Sequence, residues 1–329
     1  MKHQIAILDD YQGVARESAD WSEIARQADL TVFREHLADR DELLRRLAPF
    51  DVLVVNRERT PLCADVIRGL PRLRLIATSG MRNASIDLNA AAAAGVVVCG
   101  TKTLGYPTAE LTWGLILGLM RHIPREAANM REGGWQSTVG IGLRDRTLGL
   151  IGLGRIGADV ARVAVAFGMK VMAWSKHMTA ERAALHGAES VPLETLFQSA
   201  DVISLHLSLG PETRHLVDAG RLALMKPEAI IVNTARGPII DQHALYHALK
   251  AKRIRGAALD VYDEEPLPAD QDLRRLDNVL LTPHLGYVTE ENYQLTYGQI
   301  VENIEAWLKG VPLRVLSLAP QVTLPEGRK

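Results

Sequence analysis

Thr147-Leu-Gly-Leu-Ile-Gly-Leu-Gly-Arg-Ile-Gly157 is the stretch whose reading decides the fold. An apolar run leads into Gly152, Gly154 and Gly157, spaced G-x-G-x-x-G, and a helical pattern follows at Val160-Ala-Arg-Val-Ala-Val-Ala-Phe167. Each glycine has its own physical task. The first permits a tight turn, the second lets the backbone approach a pyrophosphate, and the third lets helix and strand pack closely; the helix N-terminus then faces the phosphates with unpaired N–H groups. Glycine-rich turns are common, so the spacing alone is weak. A strand before it, a helix after it and a second strand at Lys170-Val-Met-Ala-Trp174 turn it into a dinucleotide-binding βαβ unit.

At the end of such a second strand, about twenty residues after the glycines, an NAD site commonly carries Asp or Glu to bond the ribose 2′-hydroxyl. Here Ser175 stands in that place, followed by Lys176 and His177. A missing acid removes the repulsion that would exclude a 2′-phosphate, and the lysine can attract one. Lysine is also a common solvated loop residue. The cofactor is thus open between NAD and NADP.

Downstream lie Asn233-Thr-Ala-Arg-Gly237, Asp260-Val-Tyr-Asp-Glu-Glu-Pro266 and Thr282-Pro-His-Leu-Gly286. Taken singly, Arg236 reads as a loop anchor, Glu265 as a solvated acid and His284 as a strand-end polar residue. What they share is an apolar run immediately before each segment: Ala229–Val232, Gly256–Leu259 and Val279–Leu281. Such runs read as buried parallel strands, and open α/β sheets bind ligands at the carboxyl ends of their strands. An Arg can hold a carboxylate with two parallel N–H bonds, a His can exchange a proton near neutral pH, and a Glu beside it can orient and charge it. Together they fit hydride transfer to a 2-keto acid.

With Ala200-Asp-Val-Ile-Ser-Leu-His-Leu207, Pro211-Glu-Thr213, Met225-Lys-Pro227 and Ala257-Ala-Leu-Asp-Val261 added, the chain resembles the D-isomer specific 2-hydroxyacid dehydrogenase family over roughly residues 5–316. That group contains glyoxylate and hydroxypyruvate reductases, phosphoglycerate dehydrogenases and D-lactate dehydrogenases. The resemblance implies that Arg236 binds the substrate carboxylate and keto oxygen, His284 donates the proton, Glu265 pairs with His284, and Asp260 holds the nicotinamide carboxamide. Arg155 and Ile156 would line the pyrophosphate. Thr108, Thr234, Ala235 and His206 join the cofactor set, His206 facing the cofactor structurally rather than catalytically. One loop departs from the family pattern. Relatives carry Gly-x-Gly-x-Asp-x-Ile-Asp where this chain reads Gly80-Met-Arg-Asn-Ala-Ser-Ile-Asp87. Arg82 and Asn83 therefore become candidate substrate-binding residues, a cation and an amide at the mouth of the site.

The fold class expected is α/β, with two doubly wound parallel-sheet lobes and a cleft between them. Residues 1–100 with 288–329 would form a flavodoxin-like substrate domain, and 101–287 a Rossmann NAD(P)-binding domain. Strand-like runs Ile5–Leu8, Leu30–Phe33, Asp51–Val55, Leu73–Thr78 and Gly95–Cys99 alternate with helical stretches such as Asp39–Leu47. A crossing helix is expected over Ala109–Ile123, hydrophobic nearly all round and so buried at a domain or subunit surface. By resemblance that surface is a homodimer interface on the cofactor domain; the alternative is a purely internal core. A last helix, about Thr289–Lys309, puts Tyr293, Tyr297, Ile300, Ile304 and Trp307 on one face. The tail after Ala319, with Pro320 and Pro325, is expected to lack order.

At 329 residues with 47% apolar content, the chain can bury two cores, and a net charge of −1 carries no electrostatic footprint for nucleic acid or an anionic membrane. The run Leu111–Met120 is far short of a spanning helix. No secretion signal is visible, because Met1-Lys-His-Gln4 leads straight into a strand-like run. Two cysteines, Cys63 and Cys99, read as buried thiols of a reducing compartment, so a cytoplasmic location is expected. His243 and His247 lie four apart on a helical pattern, but Ala244 replaces the Glu of H-E-x-x-H and no metal is expected. Two other readings compete with a keto-acid reductase. A nucleotide-sensing corepressor can keep this fold, but the chain lacks extended basic or disordered arms. A formate dehydrogenase carries, by resemblance, Gln where Glu265 stands.

Overall fold

Strand runs of two to five residues, mostly apolar, alternate with helical stretches to give twelve strands and twelve α-helices among the described residues of the computed structural model, 2–316. The tail after Ala319 lies outside them. The chain divides into two units, one built from the residues up to Leu104 together with those from Thr289 onward, the other from Gly105–Val288.

The first unit runs β1 (His3–Ile7), α1 (Ser22–Gln27), β2 (Ala28–Val32), α2 (Arg40–Leu47), β3 (Val52–Val55), α3 (Ala64–Arg68), β4 (Leu75–Thr78), α4 (Leu88–Ala93) and β5 (Val97–Cys99). Its strands form one parallel sheet in the order β2-β1-β3-β4-β5. Every residue of β3 and β4 is buried, as expected of parallel strands covered by helices on both faces. Asp39 and Asp87 start α2 and α4 by accepting from the backbone N–H groups of Glu42 and Ala90, at 2.8 and 2.9 Å.

The second unit runs α5 (Tyr106–Met120), α6 (Ile123–Arg131), β6 (Thr147–Ile151), α7 (Arg155–Ala166), β7 (Lys170–Trp174), α8 (Ala180–Ala184), β8 (Glu189–Ser190), α9 (Leu193–Ser199), β9 (Val202–Leu205), α10 (Ala219–Leu224), β10 (Ile230–Asn233), α11 (Gln242–Lys250), β11 (Gly256–Leu259) and β12 (Val279–Leu281). These seven parallel strands take the order β12-β11-β10-β9-β6-β7-β8. The strand order reverses beside β6, so the glycine turn after it opens at the topological switch point, where ligands of such sheets bind. Separate apolar cores cover the two sheet faces, one around Phe197, Leu245 and Leu259, the other around Ile116, Leu148 and Val160. The chain ends this unit at Val288 and enters α12 (Glu290–Leu308), which belongs with the first unit and buries Tyr293, Tyr297, Ile300 and Ile304.

One helix lies three residues earlier in the chain than the sequence suggested. Instead of running to Ile123, α5 stops at Met120; His122 turns left-handed at φ +53° and a new helix begins at Ile123. Pro124 is the reason: within a continuous helix its ring would clash with the Met120 carbonyl and it has no N–H to donate.

Candidate active site

The three motif loops leave the sheet on adjacent strands, β10, β11 and β12, all in the second unit. In the first loop the Asn233 side chain closes a turn, its Oδ1 accepting from Ala235 N at 3.0 Å and its Nδ2 donating to Arg236 O at 2.9 Å. Arg236 is left extended and half-buried at the end of that turn. Gly237 follows because nothing else fits. A Cβ there would stand 2.0 Å from the carbonyl carbon of Tyr262, so the loops bearing Arg236 and Glu265 touch backbone to backbone.

His284 is held from two sides. Its Nδ1 lies 2.5 Å from Glu265 Oε2, and Glu265 Oε1 accepts from Tyr262 N at 3.0 Å. An ionised carboxylate only accepts, so Nδ1 carries hydrogen and Nε2 is the ring atom left to exchange a proton. The backbone of His284 is left-handed, φ +54°, within a turn organised by Asp260. That carboxylate has no solvent exposure and accepts from Thr282 Oγ1, Leu285 N and Gly286 N at 2.6–2.8 Å. Burial raises its pKa while these donors pull it down. Both of its oxygens thus take part in shaping the His284 turn. Tyr262 ties the same strand ends together, its hydroxyl within 3.0 Å of Leu259 O and 2.8 Å of Thr282 O.

The N-terminal half of α5 braces these loops. Thr108 Oγ1 donates to Gly286 O at 2.7 Å. Thr112, absent from the sequence reading, donates to Thr108 O and meets the hydroxyl of buried Thr234 at 2.9 Å. No local signal marks the contact of Thr112 with Thr234, since that partner comes from folding. Ala235 sits half-buried in the turn beside Thr234.

The glycine turn fits a dinucleotide on its own geometry. Gly152 has φ +101°, and a Cβ on it would lie 2.5 Å from His206 O; a Cβ on Gly157 would lie 2.3 Å from Gly152 O. Gly154 faces open space, with no atom within 4 Å of its would-be Cβ, and it caps the twelve-residue α7. Close packing behind and an open approach in front make a cradle for a pyrophosphate at a helix N-terminus. Arg155 is exposed and Ile156 half-buried at that terminus. Behind the turn, burial pushes the His206 imidazole down to about 4, and its Nε2 sits 2.9 Å from Ser204 Oγ. Burial there favours the neutral ring. Ser175 lies half-buried just past β7, and the Nζ of Lys176 lies 2.6 and 2.8 Å from the Glu212 carboxylate oxygens.

In the first unit, Gly80 turns at φ +94° after β4 and Arg82 is exposed in the loop that follows, beside a recess of about 300 Å³. Asn83 differs from expectation. Its amide donates to Arg57 O at 2.5 Å and Thr78 Oγ1 at 2.9 Å, and its oxygen accepts from Ser85 N. With both amide hydrogens used inside the unit, Asn83 braces the loop instead of offering an amide to a substrate. Among the described residues there is no cluster of three metal-ligating side chains; His243 and His247 stand alone with Nε2 atoms 3.0 Å apart. No helix of the described residues is long and apolar enough to cross a membrane.

Residues 113–286 match the model of the D-isomer specific 2-hydroxyacid dehydrogenase family's NAD binding domain. A D-3-phosphoglycerate dehydrogenase of Methanocaldococcus jannaschii is 43% identical over 275 residues, covering 82% of this chain and 52% of that protein, so the chain spans about half the length of that relative. A hydroxypyruvate reductase of Thermotoga maritima is 40% identical over 287 residues, covering 85% of this chain and 92% of that protein. Among solved structures, a phosphoglycerate oxidoreductase from Vibrio cholerae O395 superposes with a TM-score of 0.89 at 37% identity, over 94% of this chain and 99% of that one. Fold, fingerprint and motif loops agree with these likenesses, and the chain belongs to the D-isomer specific 2-hydroxyacid dehydrogenase family.

Proposed function

We propose that the chain interconverts a small 2-keto acid and its D-2-hydroxy acid with NAD(P)H or NAD(P) as hydride carrier, and that glyoxylate- and hydroxypyruvate-like acids are its substrate class. The observation that carries this reading is the His284–Glu265 pair at 2.5 Å, in a loop packed against the one that presents Arg236. The relatives named for hydroxypyruvate and phosphoglycerate support the class of substrate.

When bound, the nicotinamide supplies the hydride in reduction and accepts it in oxidation. Reduction adds that hydride to C2 of the keto acid and a proton to its oxygen, turning the carbonyl into a hydroxyl. His284 delivers the proton from Nε2 while Glu265 keeps Nδ1 protonated and the ring oriented. Arg236 pairs its planar fork with the substrate carboxylate and stabilises the negative charge growing on the keto oxygen. In oxidation His284 takes the hydroxyl proton. Gly152, Gly154, Arg155, Ile156 and Gly157 would hold the pyrophosphate, and Ser175 the adenosine ribose. We assign the first unit to substrate and give Arg82 a part in reading the substrate's tail.

We also propose a homodimer formed through the cofactor unit. Helix α6 buries none of its residues, and Ile123, Met130, Trp135 and Val139 lie 53–90% exposed. The loop bearing Trp135 is nevertheless ordered, because Glu126 accepts from Ser137 and Thr138 hydroxyls at 2.9 and 2.6 Å. An organised apolar surface of this kind fits a second copy. Two free thiols, Cys99 buried as expected and Cys63 exposed contrary to expectation, fit a cytoplasmic setting.

Assaying a panel of 2-keto acids with NADH and NADPH tests the activity. Turnover of glyoxylate or hydroxypyruvate that disappears in His284→Ala supports it. Cofactor binding without turnover of any acid in the panel would instead favour a nucleotide-sensing protein.

A further inference from the structure

The strands flanking β6 end level with it: Ile151 pairs with Trp174 of β7 on one side and with Leu205 of β9 on the other. Two strand spacings, about 10 Å, therefore separate the chains leaving β7 and β9, with the glycine turn between them. Lys176, two residues past β7, and Glu212, in the loop past β9, reach toward each other and close that gap, Nζ standing 2.6 Å and 2.8 Å from the two carboxylate oxygens. Both side chains are more than half exposed, so the pair adds little to stability. Its consequence is the charge at the carboxyl end of β7. Ser175 there can bond a ribose hydroxyl but cannot repel a phosphate, so Ser175 alone leaves NADH and NADPH undiscriminated.

We propose that Glu212 sets this chain's choice between NADH and NADPH, favouring NADH by holding the Lys176 ammonium away from a 2′-phosphate and placing a carboxylate beside it. The acid missing from the end of β7 is supplied from across the fingerprint strand, through a lysine. NADPH has to displace Glu212 from Lys176 and bring its phosphate dianion near the carboxylate, whereas NADH binds with the pair closed. The hydrogen bonds and charge from Lys176 hold the Glu212 carboxyl below the usual range, so it is ionised throughout the neutral region. The inference rests on the dinucleotide-binding reading above, and its test separates the two.

Direct binding of NADH and NADPH, without keto acid, is measured by calorimetry for the wild type, Glu212→Gln and Glu212→Gln/Lys176→Met. The wild type should bind NADH more tightly. Glu212→Gln should tighten NADPH by roughly two- to fivefold, the scale of one exposed charge pair, while NADH moves far less. Adding Lys176→Met should erase that gain, and 2′,5′-ADP should track NADPH while 5′-AMP tracks NADH. An unchanged NADPH affinity in Glu212→Gln, an equal change for both cofactors, or a gain that survives Lys176→Met would overturn the role of Glu212 while leaving the dehydrogenase reading intact. A wild type that binds neither dinucleotide would overturn both.

Discussion

The carbonyl carbon of Tyr262 occupies the space that a Cβ on Gly237 would need, 2.0 Å away, with the Tyr262 oxygen at 2.1 Å. This approach sets the distance between two chemical groups, because Arg236 immediately precedes the glycine and Glu265 lies three residues beyond the tyrosine. Gly237→Ala has no flexible side chain to push aside and must separate two backbones. A displacement of about 1 Å at such a site costs on the order of 10²-fold in rate. Steady-state kinetics on the variant, with circular dichroism to verify folding, should show kcat/KM falling at least that far; wild-type kinetics would mean that the loops do not act as one unit.

Removing the site's own groups should fail in distinguishable ways. Arg236→Lys keeps a positive charge but loses the planar fork, so kcat/KM should drop by roughly 10²–10³, the usual loss for one oxyanion-stabilising contact. Glu265→Gln retains the shape beside His284 but removes the charge that keeps Nδ1 a donor, and kcat should fall by about 10² or more with the substrate KM little changed. A Glu265→Gln variant that loses only KM would show that the carboxylate binds substrate and does not serve the histidine.

His206 predicts a pH dependence of stability unrelated to catalysis. Burial lowers its folded pKa to about 4, against a reference of about 6.5 when unfolded. The unfolded chain therefore takes up a proton before the folded one does, and stability falls as pH drops from about 6.5 toward 4. The loss from this single group amounts to at most about 3 kcal/mol. Melting temperatures across pH 4–8 should decline on the acid side, less steeply in His206→Gln; parallel curves for the two proteins would rule His206 out as the cause.

Local pattern carried much of this protein into view. The fingerprint was readable because its turn, helix and strands are contiguous, and Arg236, Glu265 and His284 because each follows an apolar run that became a strand. What stayed hidden depends on partners distant in the chain. Lys176 looked like a loop cation until Glu212, thirty-six positions on, was found against it. Asn83 looked like a ligand-binding amide, but Arg57 and Thr78 use its hydrogens. Thr112 left no trace at all, since a threonine within an apolar helix gives no sign that Thr234 waits 122 positions downstream.

That hidden contact is itself testable. Thr112→Val preserves shape but leaves the buried Thr234 hydroxyl without its helix partner, and an unsatisfied buried hydroxyl costs about 1–3 kcal/mol. Urea unfolding should register a loss in that range with an unchanged slope. A Thr112→Val/Thr234→Val pair, which removes both hydroxyls, should recover part of it. No destabilisation in the single variant would mean that Thr234 finds another partner.

Arg82 gives the prediction most specific to this chain, since the family pattern that the loop resembles has glycine at that position. The residue is exposed, whereas its neighbour Asn83 pins the loop from within, so changing Arg82 leaves the loop's internal hydrogen bonds in place. If the guanidinium reads the substrate's tail, it favours polar or anionic acids, because burying it against an alkyl chain without a partner is costly. Arg82→Gly should then lower kcat/KM for glyoxylate-, hydroxypyruvate- and dicarboxylate-like acids relative to branched-chain keto acids. The shift in ratio should be roughly tenfold for an anionic tail, where a charge-assisted hydrogen bond is lost, and smaller for a neutral one. It should shrink as ionic strength rises if Arg82 acts through charge. A uniform change across the panel, insensitive to salt, would reduce Arg82 to a loop residue with no part in choosing the substrate.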